Sequence, residues 1–301
     1  MTSIVPISNQ KGGVGKTTTA VTLAVCFSEM GKKVLLIDAN PQAHASNMFK
    51  DKKGVPLKIR AKLESKSIAE GLLSKHLTLS ELIYKTKSPN LDIICANKKL
   101  KKNFAQEKIA ATGSQKMLRR LFKRSNLELY DIIIIDTPPD TDLVFQNIMY
   151  ASNYYLIPMT AEADPFDGID DLIDEVHEIR EENPQLVCLG IIVTNYYPEK
   201  ITTHRKIRPL IEKYAKKFGM KYLGEISFTS TVSSSSLLQT PLPWRDDIHG
   251  KAKKTLNEYY QLAKNLLPEL KGTKRGNVKI PKIDYMPQEL VNPSIIDSAN
   301  D

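Results

Sequence analysis

The chain has 301 residues, of which 41% are hydrophobic and 26% charged, with three cysteines and a formal net charge of +9. It is long enough for one large core or two small ones, and its composition excludes a disulfide-stapled miniprotein and an acidic disordered chain. No apolar run is long enough to span a bilayer, and Cys26, Cys95 and Cys188 stand singly in apolar surroundings, which excludes a paired-cysteine metal or cluster site.

The opening "MTSIVPIS" lacks the basic leader of a secretory signal, so the chain is expected in the cytoplasm with reduced thiols. "SIVPIS" reads as a buried strand that runs straight into the glycine-rich "SNQKGGVGKTTTA". Lys16 to Met30 reads as a helix ended by Gly31, and "KVLLID" (33–38) as a second buried strand. Residues 50–86 hold helical pieces, "SIAEGLL" and "LSELIY", between charged connectors, and read as an insertion or an elaborated crossover. "LDIICA" (91–96), "DIIIID" (131–136), "YYLIPM" (154–159) and "LGIIVTN" (189–195) read as further strands. Helices are expected over 115–125, 142–151, 166–182, 203–218 and 250–267. Continuous apolar strands alternating with helices predict an α/β fold, a doubly wound, mostly parallel sheet with helices on both faces. This organisation is expected to occupy 1–270. Beyond Leu270 scattered prolines break every period, and 271–301 is expected to be a flexible tail.

Charge is unevenly distributed. Residues 98–124 hold ten Lys/Arg against one acid, Glu107, whereas 162–182 is acidic with Arg180 as its one basic residue. Such segregation suggests a polyanionic partner or charge-guided self-association, against the plainer reading of solvated helix faces. Within 116–124, Met117, Leu118, Leu121 and Phe122 fall on one helical face, and Lys116, Arg119, Arg120, Lys123 and Arg124 occupy the rest.

The chemistry concentrates in the loop after the first strand. Gly12, Gly13 and Gly15 let successive backbone N–H groups curl inward around an anion, at the N-terminus of the following helix. Lys16 would hold the β/γ-phosphate oxygens of ATP and Thr17 would offer its hydroxyl to Mg²⁺, with Val14 and Thr18 completing the nucleotide-binding loop. The ordinary P-loop pattern requires glycine at position 10, where this chain has Gln10 followed by Lys11. "DIIIIDTPPD" ends an apolar strand in Asp136, the Walker-B arrangement, in which a carboxylate reaches Mg²⁺, usually through water. The plainer reading is a strand-capping aspartate.

"KGGVGKTT" resembles the deviant Walker A motif of the ParA/MinD family. "VLLIDANPQAHAS" (34–46), "DTPPD", "YYLIPMTAEADPFDGIDDLI" and "AKKTLNEYYQLAKNLL" resemble, in order, the switch I stretch, Walker B, the next strand with its switch helix, and the final helix of the ParA branch. The likeness covers 1 to about 270, loosely over 50–130. With no helix-turn-helix before the P-loop, it implies the short form of the family. It also implies an ATPase, made slow by Asn40 in the switch I stretch, whose ATP-bound sandwich homodimer binds DNA non-specifically. A centromere-binding ParB-like protein would stimulate hydrolysis, and the chain would be nucleoid-associated in the ATP state without stable membrane association. Lys11 would act across the dimer on the partner's phosphates, and Asp38 would contact the Mg²⁺ water shell. For Asn195, at a strand end, the resemblance implies adenine reading; an ordinary turn former is the alternative.

Two departures stand out. The family's D-x-D-P-Q reads Asp38-Ala39-Asn40-Pro41-Gln42 here, and Asn40 can orient a water but cannot take its proton. The family's DNA-linked arginines are replaced by Ser and Thr in "EISFTSTVSSSSLLQTPLPW" (225–244). DNA contact would then fall to Arg205, Lys206 and Arg208, to Lys251, Lys253 and Lys254, or to 98–124. Trp244 and Tyr196-Tyr197 are expected to pack rather than stack on a base. Other readings are a related ATPase that positions a non-DNA cargo, and a MinD-like membrane-surface switch. The acidic, proline-broken ending "SIIDSAND" disfavours the latter.

Overall fold

The computed structural model describes residues 2–100, 113–139, 143–161, 166, 168–197 and 201–270, with only the backbone of 201–206, 233 and 236. The expected tail, the basic stretch 101–112 and the side chains of Arg205 and Lys206 lie outside the described residues.

The first strand, β1 (Ser3–Ile7), is wholly buried and lies inside an eight-stranded sheet of order β3-β4-β2-β5-β1-β6-β7-β8. Its companions are β2 (Val34–Asp38), β3 (Ile83–Lys85), β4 (Leu91–Ile94), β5 (Ile132–Asp136), β6 (Tyr154–Thr160), β7 (Val187–Tyr196) and β8 (Tyr222–Ser227). Every pairing is parallel except β3 with β4. β1, β2 and β5 are apolar at nearly every position because both faces are covered.

Alternate side chains enter different layers. Val5, Ile7, Leu36, Ile132 and Ile134 join the core under α1 (Lys16–Glu29) and the last helix. Ile4, Leu35, Ile37, Ile133 and Ile135 join a second core with residues from 68–72, 79–82, 117–122 and 144–148. A third core fills the space between β6, β7 and the helices beside them. Each buried Leu or Ile contributes roughly 1.5–3 kcal/mol of transfer free energy, so the sheet centre is the most stable part.

The helices after α1 are α2 (His44–Asn47), α3 (Leu57–Leu63), α4 (Ile68–Leu73), α5 (Leu79–Leu82), α6 (Met117–Lys123), α7 (Leu143–Ala151), α8 (Asp170–Glu182), α9 (Ile201–Lys217), α10 (Ser230–Leu238) and α11 (Gly250–Leu266). Several elements differ from expectation. The helical reading of 79–84 fails after Leu82, because Ile83 and Tyr84 pair with Ile94 and Ile93 as an edge strand. α8 starts at Asp170 rather than 166. β8 and the serine-rich α10 have no counterpart among the expected elements.

Met117, Leu118, Leu121 and Phe122 are buried as the amphipathic pattern requires. Part of the basic face beside them is structural. The Arg124 guanidinium donates to the carbonyls of Leu77 (2.5 Å), Gly71 (2.9 Å) and Ser74 (2.6 Å), and Lys116 pairs with Glu182. Arg124 is therefore withdrawn from the candidate DNA contacts. Trp244 packs edge-on against Phe49 and donates its indole N–H to Glu29, and Tyr197 stacks on Phe228. Cys26 and Cys95 are buried and Cys188 half-buried, all as free thiols.

Candidate functional site

The carboxyl ends of β1, β2, β5 and β7 meet on one side of the sheet, where ligands of parallel α/β folds gather. β1 delivers the loop 8–15, which bends through Gly13 (φ 77°) and Gly15 (φ 79°) into α1. A side chain at either position would strain the backbone, and a Cβ at Gly12 or Gly13 would meet nothing. The loop therefore offers bare amides to an anion at the start of a 14-residue helix. Val14 is buried, with its carbonyl accepting from Thr194 Oγ1 (2.8 Å). Lys16 reaches back across the loop, its Nζ donating to the Lys11 carbonyl (2.7 Å). Lys11 is half-buried at the loop's start.

β2 and β5 are paired so that Asp38 and Asp136 are register neighbours, and both are fully buried. Asp38 is held by Ser46, whose amide (2.7 Å) and hydroxyl (2.6 Å) donate to Oδ2, and by the Asn40 amide (3.1 Å) on Oδ1. Burial still pushes its carboxyl above the ordinary range. Asp136 is raised further, by burial first and by the Asp38 charge second; the Thr17 hydroxyl and the Lys16 cation oppose this. Thr17 Oγ1 donates to Asp136 Oδ2 (2.8 Å), whereas the buried Oδ1 has no hydrogen-bond partner.

An orphaned carboxylate oxygen, a second buried carboxylate and an adjoining hydroxyl form a donor set that fits a hard divalent cation such as Mg²⁺. Among the described residues there is no cluster of three or more His, Cys, Asp or Glu. Mg²⁺ takes one or two carboxylates and fills its shell with water and phosphate.

Asn40 is placed beside this centre, but its side-chain oxygen accepts from the Gln42 amide (3.0 Å) and so shapes the turn after β2. Asn195 stands at the end of β7 with φ 51°. With Gly15, Thr18, Thr194, Phe228 and Thr229 it lines a cavity of about 20 Å³, room for about one water and not for a purine as it stands.

Sequence reasoning missed the supports. Asn9 accepts from the Lys11 amide (2.8 Å) and donates to the Pro158 carbonyl (2.8 Å), tying the loop to β6. Gly168 (φ 76°) abuts the same point: a Cβ there would lie 2.9 Å from the Lys11 nitrogen. No local sequence signal marks either contact, since each depends on segments about 150 residues apart meeting across the sheet.

Residues 2–188 match the AAA domain family. The sporulation initiation inhibitor protein Soj of Bacillus subtilis is 32% identical over 195 residues, covering 64% of this chain and 73% of Soj. The chromosome partitioning protein ParA of Myxococcus xanthus is 31% identical over 215 residues, covering 71% of this chain and 72% of that protein. This chain belongs to the ParA/MinD family of P-loop ATPases. Among solved structures, a plasmid partition protein of Borrelia burgdorferi bound to AMPPNP superposes with TM-score 0.71 at 27% identity, over 89% of this chain and all of that one.

Proposed function

We propose that this protein is an ATP-driven partition switch. ATP enters the cradle of Gly12 to Thr18, with Lys16 on the β/γ-phosphates and Mg²⁺ on Thr17, in front of Asp136 and Asp38. Lys11 then serves the nucleotide of a second copy, so that ATP closes a sandwich homodimer. That dimer binds DNA without sequence preference, and a ParB-like partner triggers hydrolysis and release. The cytoplasm, with nucleoid association in the ATP state, is the matching location. Among the described residues no helix is long and apolar enough to cross a membrane.

One observation carries the nucleotide part: the Thr17–Asp136 bond beside a buried carboxylate oxygen with no partner, next to a helix N-terminus built of glycine amides. When bound, Mg²⁺ supplies Lewis-acid neutralisation of phosphate charge. This chain's own residues do the orienting. Thr17 and Asp136 fix where a cation would sit, and Ser46 and the Asn40 amide hold Asp38 in place. Support for DNA as cargo comes from the chromosome- and plasmid-partition names of two similar proteins and from the net charge of +9.

The test is binding to random-sequence duplex DNA with ATP, ADP and no nucleotide, at two salt concentrations. ATP-dependent binding that weakens with salt and disappears in Lys11→Ala is the expected result. Absence of binding in every nucleotide state sinks the DNA reading. The serine-rich α10, which stands where the family carries arginines, favours a non-DNA cargo as the second reading in that event.

A further inference from the structure

On the other side of the sheet from β8, a groove of about 600 Å³ runs between α3 with its preceding turn and the strand β3. β3 is the outermost strand, and among the described residues no strand lies on its second edge. From β1 it is four strands away, about 19 Å at ordinary strand spacing, so the groove is separate from the nucleotide site. Leu57 and Tyr84 are buried at the groove, and Lys52, Lys53, Lys66 and Lys85 line it.

The cations divide into two sets. Arg60, also lining the groove, is committed to Glu64 (2.6 Å) and Asp51 (3.5 Å), and Lys85 to Asp92 (2.7 Å). Lys52, Lys53 and Lys66 form no salt bridge among the described residues, although the charges of Lys53 and Lys66 act at longer range on Asp51 and Glu64. Lys66 is half-buried with its ammonium 4.7 Å from the centre of the Tyr84 ring, a cation held against an aromatic face. Ile59 and Leu63, one turn apart on α3, are 48% and 78% exposed.

We propose that this groove docks an acidic segment of a partner protein, taken up in extended form as a strand added beside β3. An open edge offers backbone groups to such a segment, the groove beside it supplies selectivity, and the lysines outside any salt bridge choose the sign of its charge. Lysines flanking the edge strand also repel a second copy of the same edge, so self-pairing is disfavoured and an acidic strand is not. Ile59 and Leu63 give the segment's apolar residues a place to rest. Nucleic acid fits less well. The Tyr84 hydroxyl is spent on Glu64 (2.7 Å) and its ring is 5% exposed beneath Arg60 and Lys66, so no aromatic face is left for a base. The inference does not rest on the partition reading.

The experiment is fluorescence anisotropy with the full chain and a fluorescein-labelled peptide of four Glu-Val repeats. A peptide of four Lys-Val repeats and a random-sequence DNA duplex are run beside it. Lys52 and Lys53 are exposed, so K52E/K53E is expected to fold, which its melting curve verifies. The acidic peptide should bind, weaken with salt and lose at least about tenfold in affinity in K52E/K53E and in K66E, with ATP hydrolysis unchanged. The basic peptide should not bind. Absence of acidic-peptide binding to the unmodified chain, or equal binding by K52E/K53E, overturns the proposal. Loss of duplex binding in K52E/K53E without any peptide binding reassigns the face to nucleic acid. If the unmodified chain binds the peptide but no DNA with ATP, the partition reading fails and the groove stands.

Discussion

Asn40 stands where the D-x-D-P-Q pattern that the sequence resembles has its second aspartate. Its side chain already shapes the turn through the Gln42 amide, a task aspartate performs equally well. Asn40→Asp should therefore keep the fold and raise ATP turnover, by up to about 10²-fold if proton abstraction contributes. A steady-state phosphate-release assay reads this, and unchanged or lower turnover removes position 40 from the hydrolytic step. Gly168 is the other single-residue test. Its φ is 76°, and an added Cβ would approach the Lys11 nitrogen to 2.9 Å, which leaves no room for alanine. Gly168→Ala should cost about 1–2 kcal/mol from the left-handed backbone alone and disturb the Asn9–Lys11 bond as well. Urea unfolding should show the loss, and titration with a fluorescent ATP analogue should show weaker binding. Normal nucleotide affinity would mean that Lys11 moves aside without consequence.

Strands and helices carry the next set of expectations. β2 and β5 place two buried carboxylates side by side, both raised above the ordinary range chiefly by burial. The cost of their charge is absent below the unfolded values, grows as pH rises through the folded ones and is full above them. At neutral pH Asp136→Asn should thus raise the melting midpoint of the Mg²⁺-free protein, by about 2–4 °C for each kcal/mol relieved. The same change should abolish the added stability that Mg²⁺ with an ATP analogue gives the unmodified chain. A lower midpoint without Mg²⁺ would contradict the sign. Arg124→Ala should remove the cap on the carbonyl end of α4 and destabilise by about 1.5–3 kcal/mol, read as a lower urea midpoint. The central strands were legible in the sequence because burial on both faces writes them as unbroken apolar runs. β8 was not, because "YLGEIS" is half-buried and interrupted by glycine and glutamate. α10 escaped because "STVSSSSLL" has no apolar period, and β3 because its three residues continue a helical pattern until β4 claims them.

For the molecule as a whole, stability should fall from the sheet centre to its edges. Native-state hydrogen exchange should protect β1 and β5 most and release β3 and β8 first, since the outer strands have one neighbour each. Equal protection across the eight strands would contradict this gradient. At this scale, the legible part of the site was the part written contiguously: the glycine loop with Lys16 and Thr17, and Asp136 closing its apolar run. Asn9 with Pro158, Val14 with Thr194 and Gly168 with Lys11 are pairings of distant segments, and no local pattern encodes them. The position of β1 also bears on how the chain is made. β1 (Ser3–Ile7) comes well before both of its neighbours, β5 (Ile132–Asp136) and β6 (Tyr154–Thr160), in the chain. At about 5–20 residues per second, the phosphate loop waits roughly six to thirty seconds for the strands that hold it. Until then a nascent chain carries an apolar strand without the two strands it pairs with, so the nucleotide cradle is completed well after its own residues are translated.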